Sequence, residues 1–565
     1  MSSTIAAAFG RRGSNTSNSE KDHSQYPSGD PVVRHNPVGE DDSSEQDDDA
    51  RLAQMGYKSE FKREFRSLST FSFAMAIMGL VSSVITTFNT PLLSGGGPSV
   101  IWTWFIGSVM NMTLGVSIGE LVSAFPSCGG LYSASGYLVP KRYSKITAYG
   151  VGWANGLGQI AGISGSAYGL SSMIMAWAYV ITDGRFVAST GEIVGLYIGI
   201  MVIAGVINSF PTSWLARLTA SYVFVNLITT CVIAILVLAR TPSGEYTSGA
   251  DAFVNISGAS GWSKSLAFLI GLQMVQFVMT DYDATAHISE EVSRAAIAAP
   301  VAIVQAVFVT GLMGFFLNIA LVFAMGDVAS TDITTWPGEL AVAQILLNRG
   351  GKVAFLVVWP FACAVAFFVV ITAVQANART FFALARDRAI PGWFAIVEKR
   401  TKVTINAVWL VVLANIILIQ LAWINYTAIA AIFSLAALGM DLSYWVPIVG
   451  RTIFADHPEV RFREQKGPFY LGEGLFGQFI RWTCIVWTLF ECIVLAIPST
   501  TPVTAMSMNW SSVVFGGVMI LAFGAYAVAG HRYYIAPGSQ RVPSNDTMQS
   551  QSPSEGSQVS NQEKL

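Results

Sequence analysis

The chain has 565 residues, of which 12% are charged and 52% hydrophobic, with a net charge of −2. An average soluble domain carries about 25% charged residues, and here the charges concentrate at the ends: 21 lie in residues 1–68 and 6 in 531–565, leaving 41 for the 462 residues between. This distribution excludes an ordinary soluble enzyme, a nucleic-acid-binding protein and a secreted disulfide-rich domain. It predicts an all-α protein that crosses a membrane many times.

Three regions follow from the composition. Residues 1–68 and 531–565 are rich in Ser, Gln, Asp and Pro and are expected to be disordered tails. Residues 69–530 are expected to hold twelve apolar spans, most of them long enough for a hydrocarbon core of about 30 Å. A short amphipathic helix outside the membrane is predicted at 339–348. The predicted spans are 69–93, 100–124, 146–181, 192–210, 215–239, 263–288, 299–325, 353–378, 404–422, 425–449, 478–497 and 510–530.

The basic residues between the spans predict the orientation. With the N-terminus in the cytosol, the inner loops contain 15 lysines and arginines and the outer loops 5. Basic residues are enriched in cytoplasmic loops, so both tails are expected to be cytoplasmic. We expect the plasma membrane, with the vacuolar membrane as the alternative.

The first and sixth spans contain residues that interrupt a helix. Gly79 is followed by Ser82 and Ser83 in the middle of the first span, and Asp281 and Asp283 lie in the middle of the sixth. Gly loosens a helix and Ser hydroxyls compete for its backbone hydrogen bonds. A carboxylate at a helix centre costs roughly 2.5–3.5 kcal/mol on insertion scales. Both spans are therefore expected to be broken near the bilayer midplane.

These two spans are the first members of two successive groups of five. Five is odd, so the second group enters the membrane in the opposite orientation, and paired breaks in an inverted repeat indicate a transporter whose substrate binds at the breaks. The alternatives are that Gly and Ser only pack helices and that Asp283 only caps the half-helix after it. The predicted substrate-binding residues are Gly79, Leu80, Val81, Ser82, Ser83, Met279, Thr280, Asp281, Tyr282 and Asp283.

Three motifs resemble the amino acid–polyamine–organocation superfamily. Residues 119–132 (GELVSAFPSCGGLY) resemble the end of its second helix, 282–291 (YDATAHISEE) its sixth-helix signature, and 378–391 (ARTFFALARDRAIP) the end of its eighth helix. Residues 156–162 (GLGQIAG) are similar to the fungal branch of GABA, choline and polyamine permeases. The resemblance implies a twelve-helix, LeuT-like 5+5 fold and secondary active transport coupled to protons. It does not cover the tails.

Asp281 departs from the family pattern, which has a small or uncharged residue there. We hypothesise that its carboxylate faces a cationic group of the substrate; the alternative is a buried or capping acid. The candidates for proton coupling are Glu120, Asp281 and Asp283, although Glu120 could instead pair with a loop arginine. His287 is expected to hydrogen-bond Glu290 or Glu291.

The predicted function is import of amino acids or related small amines such as GABA, by proton symport with alternating access. A choline or polyamine carrier, a transporter-like nutrient sensor and an ion channel are the alternatives. No enzyme motif or metal-ligand spacing is present in the sequence, so we expect no catalytic residues, cofactor or metal. The expected partners are the substrate, H+, the lipid bilayer and, through Lys21, Lys58 or Lys62, ubiquitin- or arrestin-type trafficking proteins; no nucleic acid is expected.

Overall fold

The chain is helical throughout the part that the computed structural model describes, which comprises residues 40–326, 340–423, 426–460, 466–505 and 507–537. These residues contain no β-strand, only an isolated bridge between Phe65 and Val292. The α-helices in chain order are α1 (Glu40–Gln54), α2 (Ser67–Met78), α3 (Leu80–Thr87), α4 (Asn89–Ala124), α5 (Gly130–Tyr137), α6 (Lys141–Ile181), α7 (Thr190–Ile207), α8 (Thr212–Arg240), α9 (Gly249–Phe253), α10 (Lys264–Ile270), α11 (Leu272–Val278), α12 (Ala284–His287), α13 (Ala295–Met325), α14 (Ala341–Arg386), α15 (Ile405–Leu418), α16 (Tyr426–Ile453), α17 (Leu475–Leu495), α18 (Ser511–Ala525) and α19 (His531–Tyr533).

Ten helices within the described residues are long and apolar enough to cross a membrane. They coincide with ten of the predicted spans. The third predicted span corresponds to α6, which has 41 residues and many Gly and Ser, and the sixth contains the shorter apolar helix Lys264–Val278. The ten are Ser67–Thr87, Asn89–Ala124, Thr190–Ile207, Thr212–Arg240, Ala295–Met325, Ala341–Arg386, Ile405–Trp423, Ala431–Ile453, Leu475–Leu495 and Ser511–Tyr533.

Two long helices are interrupted by a glycine with positive φ. In α4 the non-helical residue is Gly96 (φ 71°), and in α14 it is Gly351 (φ 75°). The part of α14 before Gly351 begins at Ala341 and corresponds to the short helix predicted at 339–348, although residue 339 lies outside the described residues.

Small residues let the longest helices pack closely. Helix α6 packs along both α14 and α16, and α4 packs along α13. A Cβ built on Gly439 of α16 would lie 2.8 Å from Cα of Gly158 in α6, so the two backbones are in contact. Close backbone approach at small residues is typical of helix packing in membranes, where lipid supplies no hydrophobic drive between helices.

The packed structure begins well before residue 68, contrary to the disordered tail that the composition predicts. Leu52, Tyr57, Phe61 and Phe65 are buried, and their apolar side chains supply the contact area that the polar residues around them cannot. At the other end, Tyr534 is also buried, although it lies in the predicted C-terminal tail. Residues 1–39 and 538–565 of the predicted tails lie outside the described residues.

The first helix break requires glycine, and we expect the variant Gly79→Ala to be destabilised. Gly79 adopts φ 49°, and an added Cβ would lie 2.1 Å from Cγ2 of Val369. A left-handed conformation costs a non-glycine residue roughly 1–2 kcal/mol, and overpacking a dense core costs typically about 1–3 kcal/mol more. The thermal unfolding midpoint of the purified protein in detergent should therefore fall by several degrees.

The matched control is Gly195→Ala in α7, where an added Cβ has no neighbour within 4 Å. That variant should unfold at the wild-type temperature. Equal midpoints for Gly79→Ala and Gly195→Ala would contradict the steric argument.

Candidate functional site

The first break is a single left-handed residue between two half-helices. Gly79 ends α2 and begins α3, with φ 49° and ψ 53°. The nearby serines satisfy the carbonyl groups that the break exposes: Oγ of Ser82 donates to the carbonyl of Gly79 (2.9 Å), and Oγ of Ser83 donates to that of Met78 (2.9 Å). The Ser residues that the sequence singled out thus stabilise the break itself.

The second break is longer and contains both predicted acids. Helix α11 ends at Val278 and α12 begins at Ala284. Between them Asp281 adopts φ 58°, a left-handed conformation that is uncommon for residues other than glycine. The hydroxyl groups of Thr280 and Tyr282 are buried and have no hydrogen-bond partner among the described residues. This segment therefore presents polar groups that a bound molecule could satisfy.

The two carboxylates of this segment have different surroundings. Asp283 is fully buried, and its Oδ1 accepts a hydrogen bond from the Tyr444 hydroxyl (2.6 Å). Its Oδ2 lies 3.3 Å from Nε2 of His287 and 3.5 Å from Nδ2 of Asn155. Asp283 occupies the N-cap position of α12, but its side chain makes no cap hydrogen bond. It links the second break to α6 and α16 instead.

Asp281 is bound more weakly. It is 8% exposed, and Nε2 of Gln159 donates to its Oδ1 at 3.3 Å. The amide oxygen of the same Gln159 accepts hydrogen bonds from Asn377 (2.6 Å) and Thr380 (2.9 Å) of α14. Asp281 forms no ion pair with a basic residue among those that the structure describes. Of the two acids, Asp281 is the one with capacity for a cationic partner.

The two breaks lie in neighbouring helices. Half-helix α3 packs against α11 and α6, and α12 packs against α2. Of the predicted substrate-binding residues, Ser82, Ser83, Thr280 and Asp281 have side chains that are 3–8% exposed, whereas the others with side chains are at most 1% exposed. The structure brings the two predicted segments together.

A cavity of about 290 Å³ lies at the ends of α3 and α11 that point away from the breaks. Most of the residues that line it have polar side chains, and they belong to the segment that follows α3, to the first turn of α11, to α16 and to the segment that follows α17. The lining residues are Asn89, Thr90, Leu93, Ser94, Ala259, Ser260, Gln273, Ala431, Ser434, Ser499, Thr500, Ser507 and Asn509.

Comparison with known proteins decides the family. The sequence profile of the amino acid permeases matches residues 68–520, which is most of the chain. The chain belongs to the amino acid permease family. This permease is 38% identical over 495 residues to an uncharacterised amino-acid permease of Schizosaccharomyces pombe, covering 87% of this chain and 90% of the relative.

Two further relatives carry more specific names. Amino-acid permease 2 of Neurospora crassa is 33% identical over 501 residues, covering 88% of this chain and 90% of the relative. The GABA-specific permease of Saccharomyces cerevisiae is 29% identical over 507 residues, covering 87% of this chain and 86% of the relative. The permease is therefore a multi-pass membrane transporter of small molecules and not an enzyme, and the superfamily resemblance is confirmed.

Glu120 of the permease lies apart from the breaks, among basic residues. Its carboxylate is 3.2 Å from Nη1 of Arg481 and 3.5 Å from Nη2 of Arg451, and it accepts the backbone N–H of Leu471 at 3.2 Å. The arginines belong to α16 and α17, so Glu120 ties α4 to both helices. Glu120 therefore forms the kind of ion pair that is the alternative to a role in proton coupling. Its arginine partners lie in helices, whereas a loop arginine is the partner expected from the sequence.

The sequence reasoning missed three side chains around the second break and misplaced a fourth. Asn155, Gln159 and Tyr444 contact the two acids, but they come from α6 and α16, far away in the sequence. Of these three residues, only Gln159 lies in one of the family motifs, at residues 156–162. The prediction that His287 bonds Glu290 or Glu291 is wrong: its Nδ1 lies 3.1 Å from the carbonyl of Cys128 and 3.1 Å from Oγ1 of Thr380.

Glu290 and Glu291 pair with arginines of α14. Glu291 lies 2.5 Å from Nε of Arg379, and Glu290 lies 3.0 Å from Nη1 of Arg386. Breaking such a buried pair by removing one partner costs roughly 3–5 kcal/mol, so the pairs hold α14 to the end of the second break.

Described residues near both termini, among them Tyr57 and Tyr534, cover this end of the bundle, which we call the termini side. The Tyr57 and Tyr132 hydroxyls donate to the same oxygen of Asp387, at 3.0 and 2.8 Å. Tyr534 donates to the Tyr132 hydroxyl (3.1 Å), and the N–H of Ile535 donates to the Asp387 carbonyl (3.0 Å). Asp387 therefore joins the N-terminal segment, the C-terminal segment and α14.

Asp387 makes a pH-dependent contribution to stability. Burial raises its pKa from an ordinary 3.8 to about 6, although Arg386 and the two tyrosines oppose the shift. The folded carboxyl therefore binds its proton more tightly than the unfolded one, so its contribution is fully present below the unfolded pKa and is lost as the pH rises through about 6. In thermal unfolding of the purified permease, the wild-type midpoint should fall between pH 4 and pH 7 relative to that of Asp387→Asn. The corresponding free energy is at most about 3 kcal/mol.

The control is Asp183→Asn, which removes an exposed carboxylate that pairs with Lys352. Its pH profile should run parallel to that of the wild type. Parallel profiles for Asp387→Asn as well would show that Asp387 does not titrate in this range.

Proposed function

We propose that this permease imports amino acids or related small amines, such as GABA, by proton symport with alternating access. In this proposal its twelve spans form a LeuT-like 5+5 inverted repeat, with α2–α3 and α10–α12 as the broken first members. The single observation that carries the proposal is the pairing of two helix breaks in neighbouring helices, one of which presents the weakly bound carboxylate of Asp281.

The two breaks suit a small substrate that carries an ammonium group at one end and a carboxylate at the other. Asp281, with one hydrogen bond of 3.3 Å, would hold the ammonium group, and the unpaired hydroxyls of Thr280 and Tyr282 lie beside it in the sequence. The start of α3 offers backbone N–H groups and the positive end of a helix dipole to a carboxylate. An ω-amino acid would carry both groups, which agrees with the name of the yeast GABA-specific relative.

A choline or polyamine carrier is the second candidate. Asp281 supports it, because a carboxylate without a basic partner also suits a substrate that carries positive charge and no carboxylate. The test is which substrate class competes for uptake.

The arrangement of the two sides suits alternating access. The termini side is covered by Tyr57, Phe61 and Phe65, all at most 7% exposed, whereas the opposite side contains the cavity of about 290 Å³. Import would alternate this arrangement with one in which the termini side opens. The basic residues favour placing the termini side in the cytosol of a plasma-membrane protein. There Lys58 and Lys62, which are exposed, would be open to ubiquitin-type modification.

Of the predicted candidates for proton coupling, Asp281 and Asp283 are the two that lie in the proposed substrate site. Both belong to the second break, and protonation of either one would change the charge next to the substrate. Glu120 contacts two arginines, and these ion pairs join α4 to α16 and α17, so a structural role suits it better than proton transport.

The first test is uptake by fungal cells that lack their own transporters. We expect one class from a labelled panel of GABA, choline, putrescine, spermidine and α-amino acids to accumulate, and to do so faster near pH 5 than near pH 7.5, because a proton gradient would drive it. Saturable accumulation that a protonophore abolishes would support symport. Normal surface expression with binding but no uptake would indicate a sensor instead, and non-saturable flux would indicate a channel.

The second test concerns Asp281. The variant Asp281→Asn keeps the size of the side chain and removes its charge, so KM for an amine substrate should rise at least about tenfold, the factor equivalent to about 1.4 kcal/mol of lost binding. The control Asp251→Asn changes an exposed aspartate bonded to Asn255 and should transport normally. An unchanged KM for Asp281→Asn at normal surface expression would refute the proposed contact.

A further inference from the structure

A second pair of buried acids lies outside the broken segment, in helices α16 and α17. Asp441 is 0% exposed and Glu491 is 1% exposed, their helices pack along each other, and the two carboxyl groups interact electrostatically. Neither residue takes part in the contacts described for Asp281 and Asp283. The proposed function does not use this pair.

The pair is only partly hydrogen-bonded. Oδ1 of Asp441 accepts a hydrogen bond from Nε2 of Gln276 at 2.6 Å, and the oxygen of Gln276 accepts one from Nδ2 of Asn111 at 2.9 Å. Oδ2 of Asp441 and both oxygens of Glu491 accept no hydrogen bond of normal geometry among the described residues, although the side chain of Trp487 lies beside Glu491. The buried hydroxyl of Thr488, one helical turn before Glu491, is also without a partner there. Buried polar atoms are almost always satisfied, so this cluster lacks something that it binds.

No basic side chain neutralises the pair within the described part of the chain. The basic residue of α17, Arg481, pairs with Glu120 (3.2 Å) and Glu473 (3.7 Å). The one charged residue of α4 is that same Glu120, and the charged residues of α6 and α10 lie in their first five positions, while α11 and α18 have none. Among the described titratable groups, those that interact electrostatically with the pair are Tyr282 of the second break and Cys484 and Cys492 of α17.

Two buried carboxylates that interact electrostatically and have no basic partner do not both remain ionised. Each isolated charge in a low-dielectric interior is costly, and a second like charge adds to the cost. The described residues contain no group of three or more His, Cys, Asp or Glu placed to hold a metal ion. A proton satisfies the pair most simply, because protonation of one carboxyl group removes one of the two buried charges.

We propose that Asp441 and Glu491 form a proton-binding site, distinct from the substrate site, whose proton is the one co-transported with the substrate. An O–H bond forms on one carboxyl when the pair is open to the outer side, and it breaks when the proton passes to water on the inner side. This inference rests on the proposed symport, and it names the residues that carry the ion.

The pair is connected to the second break by two routes. Gln276, which binds Asp441, lies in the last turn of α11, directly before the break. Tyr282 lies within the break, interacts electrostatically with both acids, and stacks on Tyr444 at 5.9 Å between ring centroids. The Tyr444 hydroxyl binds Asp283 at 2.6 Å. A change of charge at the pair can therefore reposition the segment that binds the substrate.

The experiment measures proton and substrate movement separately in proteoliposomes containing the full chain. An internal pH dye reports proton entry, and labelled substrate reports both gradient-driven accumulation and exchange without a gradient. For Glu491→Gln and Asp441→Asn, we expect substrate-driven proton entry and accumulation to fall at least tenfold, while exchange stays within about twofold of wild type. The conservative variant Glu491→Asp keeps a carboxyl group and should retain coupling.

A spectroscopic readout covers the case in which the neutral variants do not fold. Infrared difference spectra of the wild type between low and high pH should show the C=O band of a protonated carboxyl, and that band should shift in Glu491→Asp. An unshifted band, or a band that disappears when Na+ or K+ is added at constant pH, would overturn the proposal in favour of a passive acid pair or a metal-cation site.

The outcomes also separate this inference from the proposed function. If the wild type moves substrate without protons, or moves no substrate, the symport proposal fails and this inference fails with it. If the wild type is coupled and both Glu491→Gln and Asp441→Asn remain coupled, only the acid-pair proposal is refuted. If exchange is lost together with coupling in variants that fold, the pair is structural and the proposal is again refuted.

Discussion

The structure depends on the constraint that backbone polar groups inside a bilayer must be paired or must face a cavity. A helix satisfies this rule along its length, and a break violates it. In this permease each break is enclosed by other helices. Each contains one residue in the left-handed conformation, Gly79 in the first break and Asp281 in the second. Serine hydroxyls satisfy the first break locally. The second break relies on side chains from elsewhere in the chain.

The two acids of the second break have different partners among those side chains, and their roles differ accordingly. Asp283 is held by Tyr444, His287 and Asn155, so it fixes the start of α12 against α6 and α16. Asp281 has only the long contact with Gln159. Two carboxylates separated by one residue thus have different roles because their partners differ, and the free capacity at Asp281 is what makes this segment a candidate binding site.

On the termini side, residues near the N-terminus pack over the ion pairs that join the second break to α14. Glu290 and Glu291 follow α12 directly, and they bind two arginines of α14. The guanidinium of Arg386 also lies over the ring of Tyr57, 3.8 Å from its centroid. Any movement of the second break toward the termini side must therefore separate contacts that the N-terminal segment covers. Residues 57–65 are part of the transport domain in this respect and not an appended tail.

The sequence by itself determined the class and much of the fold. Low charge and long apolar runs require a membrane environment, so ten predicted spans coincide with apolar helices of sufficient length. The breaks in the first and sixth spans were readable because Gly and Asp in the middle of an apolar run are locally unfavourable, whatever surrounds them. Three motifs sufficed for the family.

Other features were decided only by the tertiary structure. Apart from His287, the partners of Asp281 and Asp283 are more than a hundred positions away, and no local pattern marks Asn155 or Tyr444. The same holds for the packed segment before residue 68, whose polar composition hides the apolar residues that dock it. Glu120, Asp441 and Glu491 look alike in the sequence as lone acids in apolar helices. Their difference, two arginines beside Glu120 and none beside the other two, arises because charge compensation depends on which helices pack together, and that is settled only when the chain folds.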